Sequence, residues 1–234
     1  MASLQTWFFD FLNLFSPRIC PICNNHLDSH EEKVCEHCLR QLPYTYITDF
    51  QDNPVYRLFE RKFRLGRVHS YLRYQHELSS HLLITRFKYG HRPDLAQYIG
   101  SKVARELLPQ GFFSDIDGIV PVPLHWIRQW QRGYNQSAQI ALGISEVTGI
   151  TVIKGVVKRT RNNETQTNKT AIERAKNVEN LFHAIAGIPC RHILLVDDVL
   201  TTGATLTSCA QAIAQRNPRI TISILTIDRE GIMS

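Results

Sequence analysis

Short apolar runs alternate with longer amphipathic stretches over most of the chain. The pattern predicts strands at Val68–Tyr74, Ile116–Val122, Thr151–Lys158, His192–Val196 and Ile220–Ile227. It predicts helices at His76–Phe87, Leu95–Leu108, Asn135–Val147 and Ala204–Ala214. Alternating strands and helices are typical of an α/β fold, in which helices flank a mostly parallel sheet. In such sheets, ligands bind beyond the carboxyl ends of the strands.

The N-terminal part of the chain does not follow this alternation. An apolar run, Trp7–Phe15, precedes four clustered cysteines, and a polar stretch, Tyr44–Pro54, follows them like a linker. We therefore expect a small unit over residues 1–45 and a larger α/β domain over residues 55–234. The apolar run is too short to span a membrane and lacks the basic leader and cleavage site of a signal peptide. We interpret it as a packing helix, with docking to a membrane surface as the alternative.

The composition is that of an ordinary globular protein. The 234 residues are 43% hydrophobic and 21% charged, and no apolar stretch reaches the length of a membrane span, so no transmembrane segment is expected. The net charge of +6 favours an anionic partner, such as nucleic acid or a phosphorylated small molecule. The cysteines are not distributed like a disulfide scaffold, which indicates a reducing cytoplasm.

The four clustered cysteines have the spacing of a metal site. Cys20 and Cys23 form one C-x2-C pair, Cys35 and Cys38 form a second, and eleven residues separate the pairs. Four thiolates complete a tetrahedral zinc shell, and the metal supplies folding energy to a segment too short for a large core. A redox pair is the alternative, but no thioredoxin-like strand lies next to either motif. Because four thiolates leave no open position, the predicted site is structural or an interaction platform.

The run ILLVDDVLTTGATL, Ile193–Leu206, places two carboxylates after an apolar strand. Burying both in the core would cost several kcal/mol, so Asp197 and Asp198 are expected to face a cleft with hydroxyls or a divalent cation. The uncharged loop that follows enters a helix, whose free amides and dipole suit a phosphate, and Gly203 permits close approach. The run contains neither a Walker loop nor G-x-G-x-x-G. Together these features describe a ribose 5-phosphate site. The alternative is an aspartate pair that caps an ordinary strand–helix turn.

Two further segments predict an anion-binding site and a mobile loop, respectively. In VPVPLHWIRQWQRGYNQSAQIA, Val120–Ala141, prolines end a strand, and Arg128 and Arg132 follow, with Gly133 at an expected helix start. Arginines and open amides there suit an anion, and a basic surface helix is the alternative. The segment Arg159–Val178 is polar and long for a connection, which is typical of a mobile lid.

The fourteen-residue run resembles the 5-phosphoribosyl-1-diphosphate (PRPP) signature of type I phosphoribosyltransferases. This resemblance implies a divalent metal, usually Mg²⁺, and ribose hydroxyls held by Asp197 and Asp198. It implies a 5-phosphate held by the loop residues Thr201, Thr202, Gly203, Ala204 and Thr205. The candidates for contacts with pyrophosphate or for the lid are Lys88, Pro123, Arg128, Arg132, Gly133, Arg159 and Gln166.

The order of motifs from Cys20 onward looks like that of the competence protein F (ComF/GntX) family. It comprises the cysteine pairs, FKYG at Phe87–Gly90, the VPVPLH…RGYNQ segment, the R-T-R…T-Q segment and the PRPP-like run. The resemblance implies a PRPP-using transferase linked to uptake of transforming DNA, with competence-machinery proteins as partners. It places the protein in the cytoplasm, with peripheral association at the inner membrane as the alternative. Two positions depart from the expected pattern: Thr201 stands where purine-salvage relatives carry an acidic residue, and Lys169 stands where the lid is expected to be apolar.

A second hypothesis is a binding or adaptor protein that retains the PRPP pocket. Basic and aromatic residues interleave after the linker, as expected of a surface that contacts single-stranded DNA. They are Tyr56, Arg57, Phe59, Arg61, Lys62, Phe63, Arg64 and Arg67. The alternative for this stretch is an amphipathic helix with a solvated basic face. No residue of the sequence is an obvious general base.

Overall fold

The computed structural model of the chain describes residues 18–74, 79–160 and 181–230. The apolar run Trp7–Phe15, the lid candidate Gln166 and nearly all of the expected lid lie outside these ranges. Within them, the helices are α1 (Glu36–Arg40), α2 (Pro54–Arg57), α3 (Ser79–Tyr89), α4 (Pro93–Leu107), α5 (Trp126–Arg132), α6 (Gln136–Thr148) and α7 (Ala204–Arg216). The strands are β1 (Leu65–Arg73), β2 (Gly118–Pro121), β3 (Val157–Arg159), β4 (Phe182–Ala184), β5 (His192–Leu200) and β6 (Thr221–Arg229).

Four strands form a parallel sheet in the order β1-β6-β5-β2. The expected α/β fold with a mostly parallel sheet and flanking helices is therefore confirmed. The chain order of these strands differs from their spatial order, so β5 lies in the interior of the sheet, between β6 and β2. This position explains its uninterrupted apolar run, because an interior parallel strand is buried on both faces.

The single strand expected at Thr151–Lys158 is wrong. Val152 forms only an isolated parallel bridge with Ile119, and Val157 then begins β3, which pairs with β4 in a separate antiparallel ribbon. Between them, Gly155 adopts a φ of 75°. That left-handed conformation cannot continue an extended strand, so the chain leaves the main sheet before it enters the ribbon.

The apolar side chains form two hydrophobic clusters on opposite faces of the sheet. Along β5, Leu194 and Val196 belong to one cluster, while Ile193 and Leu195 belong to the other. This division follows from the alternation of side chains along a strand. Helices α4 and α6 pack on the first face, and α7 packs on the second. No helix in the described ranges combines the length and apolar character needed to cross a membrane.

The described residues of the N-terminal part, from residue 18 to the cysteine cluster, pack against the first face of the sheet. The buried cysteines Cys20, Cys35 and Cys38 belong to the same hydrophobic cluster as α4 and α6. The segment after them runs along the outer edge of β1, where the Thr45 amide donates to the Tyr71 carbonyl at 3.1 Å. An edge strand carries unpaired backbone groups, and this segment satisfies part of them. The division into units at residues 1–45 and 55–234 stays a prediction.

Candidate functional site

Asp197 lies inside the last part of β5. The strand continues to Leu200, and Asp197 pairs with Thr226 of β6, so the expectation that the strand ends at Val196 is wrong. The Ser137 hydroxyl of α6 donates to Asp197 Oδ1 at 2.8 Å, and the Asp198 amide donates to the same oxygen at 3.0 Å. Burial, and then the neighbouring Asp198 carboxylate, raise the pKa of Asp197. The site thus holds two carboxylates that repel each other.

Asp198 is paired with a cation. Lys88 Nζ of α3 lies 3.1 Å from Asp198 Oδ2, and the two side chains are only 19% and 14% exposed. Water screens such a pair weakly, so the ammonium offsets part of the negative charge of the site. The structure therefore brings the sequence-predicted Lys88 next to the aspartate pair, although more than one hundred residues separate them in the chain.

Asp228 adds a third carboxylate that the sequence interpretation missed. It lies opposite Val199 in the β5–β6 register and is fully buried. The Arg229 amide donates to Asp228 Oδ1 at 2.9 Å, whereas Asp228 Oδ2 has no hydrogen-bond partner within the described ranges. Burial raises the pKa of Asp228 to about 7, against the effects of the Arg229 amide and of Lys88. A signal was present, because Asp228 follows an apolar run at the carboxyl end of the last predicted strand.

The loop after β5 is built around a left-handed glycine. Gly203 has a φ of 76° and precedes α7, so the amides of the first turn of that helix point towards the loop. A Cβ atom at Gly203 would lie 3.2 Å from the buried ring of Phe59. The Ala204 amide donates to the Thr202 hydroxyl at 3.4 Å. The enclosed cavity at this loop measures about 20 Å³, which is the room of about one water molecule.

Arg128 and Arg159 form a positive corner beside Asp197. Burial, and then the Arg128 guanidinium, lower the pKa of Arg159, while the Asp197 carboxylate acts in the opposite direction. Burial and both arginines also lower the pKa of His125, which caps α5. Both guanidinium groups therefore add positive potential near the Asp197 carboxylate. The corner is an arrangement suited to a multiply charged group such as pyrophosphate.

The other candidates of this region have different positions. Arg132 donates to Gln136 Oε1 at 3.1 Å and lies over the ring of Tyr89 at 5.2 Å. The expectation that Gly133 starts a helix is wrong: it ends α5 with a φ of 78°, because a left-handed residue terminates a helix. Pro123 and Gly133 line a cavity of about 480 Å³ between α5, α6 and residues 153–157.

The basic and aromatic stretch after the linker does not form a single surface. Only Pro54–Arg57 is helical, so the amphipathic helix considered as the alternative is also wrong. Arg57 pairs with Asp52 at 2.9 Å, and Arg67 Nε donates to the Phe112 carbonyl at 2.8 Å. Phe59 is fully buried and cannot stack on a base. Tertiary packing thus removes key members of the predicted DNA contact.

The four cysteines converge on one point. The sulfur atoms of Cys20, Cys23, Cys35 and Cys38 all lie within 4.8 Å of one another. The sulfurs of Cys23 and Cys35 are 3.7 Å apart, which is too long for a disulfide. A tetrahedron with zinc–sulfur bonds of about 2.3 Å has edges of roughly 3.8 Å, so this set fits a structural zinc ion.

Comparison with known proteins agrees with this geometry. A family model described as phosphoribosyl transferase domain matches residues 131–231. Competence protein F of Haemophilus influenzae is 40% identical over 93 residues, which are 38% of this chain and 41%, less than half, of that protein. DNA utilization protein YhgH of Escherichia coli (strain K12) is 30% identical over 196 residues, 82% of either chain. Competence protein ComFC of Bacillus subtilis (strain 168) is 26% identical over 231 residues, 96% of this chain and 89% of that one. Since the similarities to YhgH and ComFC extend over most of its length, the chain belongs to the competence protein F family, and it has a phosphoribosyltransferase-like fold.

Proposed function

We propose that the protein binds PRPP with Mg²⁺ at the carboxyl edge of the sheet and transfers its phosphoribosyl group, in a process of DNA uptake or use. The observation that carries this proposal is the Asp197–Asp198 pair in the last part of β5, which leads through Leu200 into the loop before α7. The printed names of the relatives, which concern competence and DNA utilization, support the cellular context.

Each part of PRPP has a matching group in this arrangement. The carboxylates of Asp197 and Asp198 suit the ribose hydroxyls, and the amides of residues 201–205 suit the 5-phosphate. Lys88, Arg128 and Arg159 suit the pyrophosphate, because they are the cations around the aspartates. Sequence reasoning missed Ser137, which holds Asp197 in place through a 2.8 Å hydrogen bond.

The donor set also fits a divalent cation. Asp197, Asp198 and Asp228 place three carboxyl groups at the site, Lys88 pairs with one of them, and Asp228 Oδ2 lacks a partner within the described residues. Mg²⁺ prefers oxygen ligands and is commonly held by one or two carboxylates together with substrate phosphates. Asp197 and Asp198 would hold it here, and the ion would neutralise the charge that develops on the leaving pyrophosphate.

The chain's own contribution to transfer is positioning and charge stabilisation. The acceptor forms a bond to the anomeric carbon of ribose while the bond from that carbon to pyrophosphate oxygen breaks, and pyrophosphate leaves with the electron pair. The loop and the aspartates hold the sugar in the orientation needed for attack. Lys88 and the arginines stabilise the negative charge of the leaving pyrophosphate. Thr201 carries no carboxylate, so this site offers no acidic partner for a purine at that position.

A calorimetric titration of PRPP in the presence of Mg²⁺ tests this function. Replacing Asp197 and Asp198 together by Asn keeps the shape but removes two charged acceptors, each worth about 1.5–3 kcal/mol, so the affinity should fall by about two orders of magnitude or more. Thermal stability should hardly fall, because the removal of two repelling charges offsets the loss of Asp198 as the partner of Lys88. Asp52→Asn, at an exposed surface ion pair, is the control. Unchanged PRPP affinity with a destabilised fold would instead assign the aspartates to a structural cap.

A second candidate function, contact with single-stranded DNA, is favoured by α5. Trp126 and Trp130 lie one helical turn apart and are 71% and 84% exposed, which is unusual for tryptophan. Arg128 and Arg132 lie on the other side of this helix, two residues from each ring, so the rings alone form the platform. Exposed aromatic rings stack on bases, which is one way in which proteins bind single strands. This platform replaces the surface predicted at residues 56–67.

Fluorescence anisotropy with a labelled single-stranded oligonucleotide tests the platform. Replacing Trp126 and Trp130 by Ala should weaken binding by about tenfold or more, because stacking contributes about 1–3 kcal/mol per base. Ile185→Ala removes an exposed apolar side chain outside α5, 53% exposed after β4, and should leave binding unchanged. If the variant with Trp126 and Trp130 replaced by Ala loses binding to anionic vesicles but keeps its oligonucleotide binding, the helix contacts a membrane surface instead.

A further inference from the structure

A second cavity lies away from the PRPP-like loop. It has a volume of about 620 Å³ and is lined by α1, the segment along β1, β1 itself and α4. Its volume is within the range of small-molecule sites in proteins. None of the loop residues 197–205 lines it. The side chains that matter here are Tyr44, Tyr46, His69, Tyr71, Lys102 and Glu106.

The wall of this cavity is aromatic and supported from behind. The rings of Tyr44 and Tyr71 meet edge to face with centroids 5.1 Å apart, and Tyr46 continues the row at 6.0 Å from Tyr44. Behind them, His69 packs edge to face on Phe50 at 5.6 Å. Tyr46 is 82% exposed and stands at the mouth. Such flat, fixed rings are the surfaces on which planar ligands stack.

Two polar atoms in this wall have no hydrogen bond. His69 Nδ1 and the Tyr71 hydroxyl lack a partner within the described residues, although the two residues are only 3% and 4% exposed. An unpaired buried polar group is costly, so a ligand that reaches and pairs these atoms gains affinity. Burial, and then Arg229, lower the pKa of His69 to about 4, so the imidazole is neutral at pH 7. The neutral imidazole offers one donor and one acceptor, and the Tyr71 hydroxyl can act as either.

The charged groups around the cavity are paired with one another. Lys102 Nζ lies 3.1 Å from Glu106 Oε1, and Arg40 lies 2.5 Å from Glu36 Oε2. The cavity therefore has no excess of either charge. A neutral ring with a polar edge suits it better than a phosphate or a carboxylate does.

We propose that this cavity binds a nucleobase, as a free nucleoside or as a base of a single strand. The exposed ring of Tyr46 and the partly exposed ring of Tyr44 stack on the base, and His69 and Tyr71 pair with its polar edge. This site is distinct from the phosphoribosyl site, and the inference does not depend on PRPP binding. A base that enters past Tyr46 contacts both α1, which carries the last cysteine of the cluster, and β1.

Isothermal titration of the full-length protein, with its metal, with the four deoxynucleosides tests the site. We expect at least one of them to saturate at millimolar concentration or below. Tyr71→Phe should weaken that nucleoside about fivefold to tenfold, the effect of one hydrogen bond, and should not lower the melting temperature, since the lost hydroxyl is unpaired. His69→Phe should act in the same direction. Tyr98→Phe, on α4 but outside the cavity, is the matched control.

The outcomes separate the sources of the base and the two sites. If Tyr71→Phe also weakens a single-stranded oligonucleotide, the base belongs to DNA; if only nucleosides are affected, the ligand is a free nucleoside. The double Asn variant of Asp197 and Asp198 should bind nucleosides normally even where PRPP binding is lost. The proposal is overturned if no nucleoside saturates, or if both Tyr71→Phe and His69→Phe bind as the parent does.

Discussion

The ammonium of Lys88 lies 3.1 Å from a carboxylate oxygen of Asp198. This contact joins α3 to the last part of β5 and places a cation beside the carboxylates that we propose for ribose. Under the proposed function, PRPP would compete for both partners, because its hydroxyls would bind Asp198 and its pyrophosphate would attract Lys88.

Replacing Lys88 by Met should weaken PRPP binding by about tenfold to a hundredfold. The change keeps the length of the side chain but removes a charged donor, and such hydrogen bonds contribute about 1.5–3 kcal/mol. Calorimetric titration with Mg²⁺ measures the effect. Lys102→Met, which breaks a partly exposed pair on α4, is the control. Equal PRPP affinities of the Lys88 variant and the parent would show that Lys88 does not contribute to PRPP binding.

Asp228→Asn should stabilise the protein more at pH 8 than at pH 4. The pKa of Asp228 is about 7 in the folded state and about 3.9 in the unfolded chain, so the folded state holds an extra proton between these values. The corresponding stability is present below pH 4 and is lost as the pH rises to 7. Asn does not titrate, so the difference should approach about 4 kcal/mol.

Urea unfolding at the two pH values measures this difference. Asp117→Asn should show the opposite sign between pH 8 and about pH 2, because the amides of His192 and Arg191 lower the pKa of Asp117, so its contribution is present above about pH 4 and is lost as the pH falls further. A pH-independent effect of Asp228→Asn would mean that Asp228 is ionised in the folded protein.

Gly203→Ala should destabilise the protein more than Gly149→Ala does. Both glycines have a positive φ, 76° and 74°, so both variants carry the left-handed cost of about 1–2 kcal/mol. Only at Gly203 does the new Cβ meet a buried ring, Phe59, at 3.2 Å, whereas nothing lies within 4 Å at Gly149. Urea denaturation of the two variants isolates the packing effect. Phe59→Leu in the Gly203→Ala background should recover part of it, and identical losses for both glycines would contradict the contact.

The purified protein should carry about one zinc ion per chain, and Cys35→Ser should lose it. Cys35 is buried in the same hydrophobic cluster as α4, so we expect the melting temperature to fall as well. Metal analysis and a melting curve measure both effects. Cys190→Ser, outside the cluster of four, should keep the metal. Full zinc retention in the Cys35 variant would show that these cysteines are not the ligands.

Contacts between segments that are far apart in the sequence decided those parts of the site that local patterns did not predict. Asp228 stands opposite Val199 because β6 is the neighbour of β5, and Phe59 supports Gly203 from a segment more than one hundred residues earlier. Phe59 is buried and Arg57 is ion-paired, so the DNA-contacting surface predicted at residues 56–67 does not form. The exposed rings of Trp126 and Trp130 indicate another candidate surface. Such contacts depend on the order of strands in the sheet, and no local period of the chain encodes that order.

Local patterns of the sequence determined the strand and helix alternation, the four-cysteine spacing and the loop before α7. Each is a property of a few consecutive residues: apolar period, C-x2-C spacing, or carboxylates followed by hydroxyls and glycine. Local patterns failed at Thr151–Lys158 and at Gly133, because a single glycine dihedral redirected the chain in both places. Only the tertiary structure decided which carboxylates, cations and rings share a site, since that depends on the free energy of packing all the elements at once.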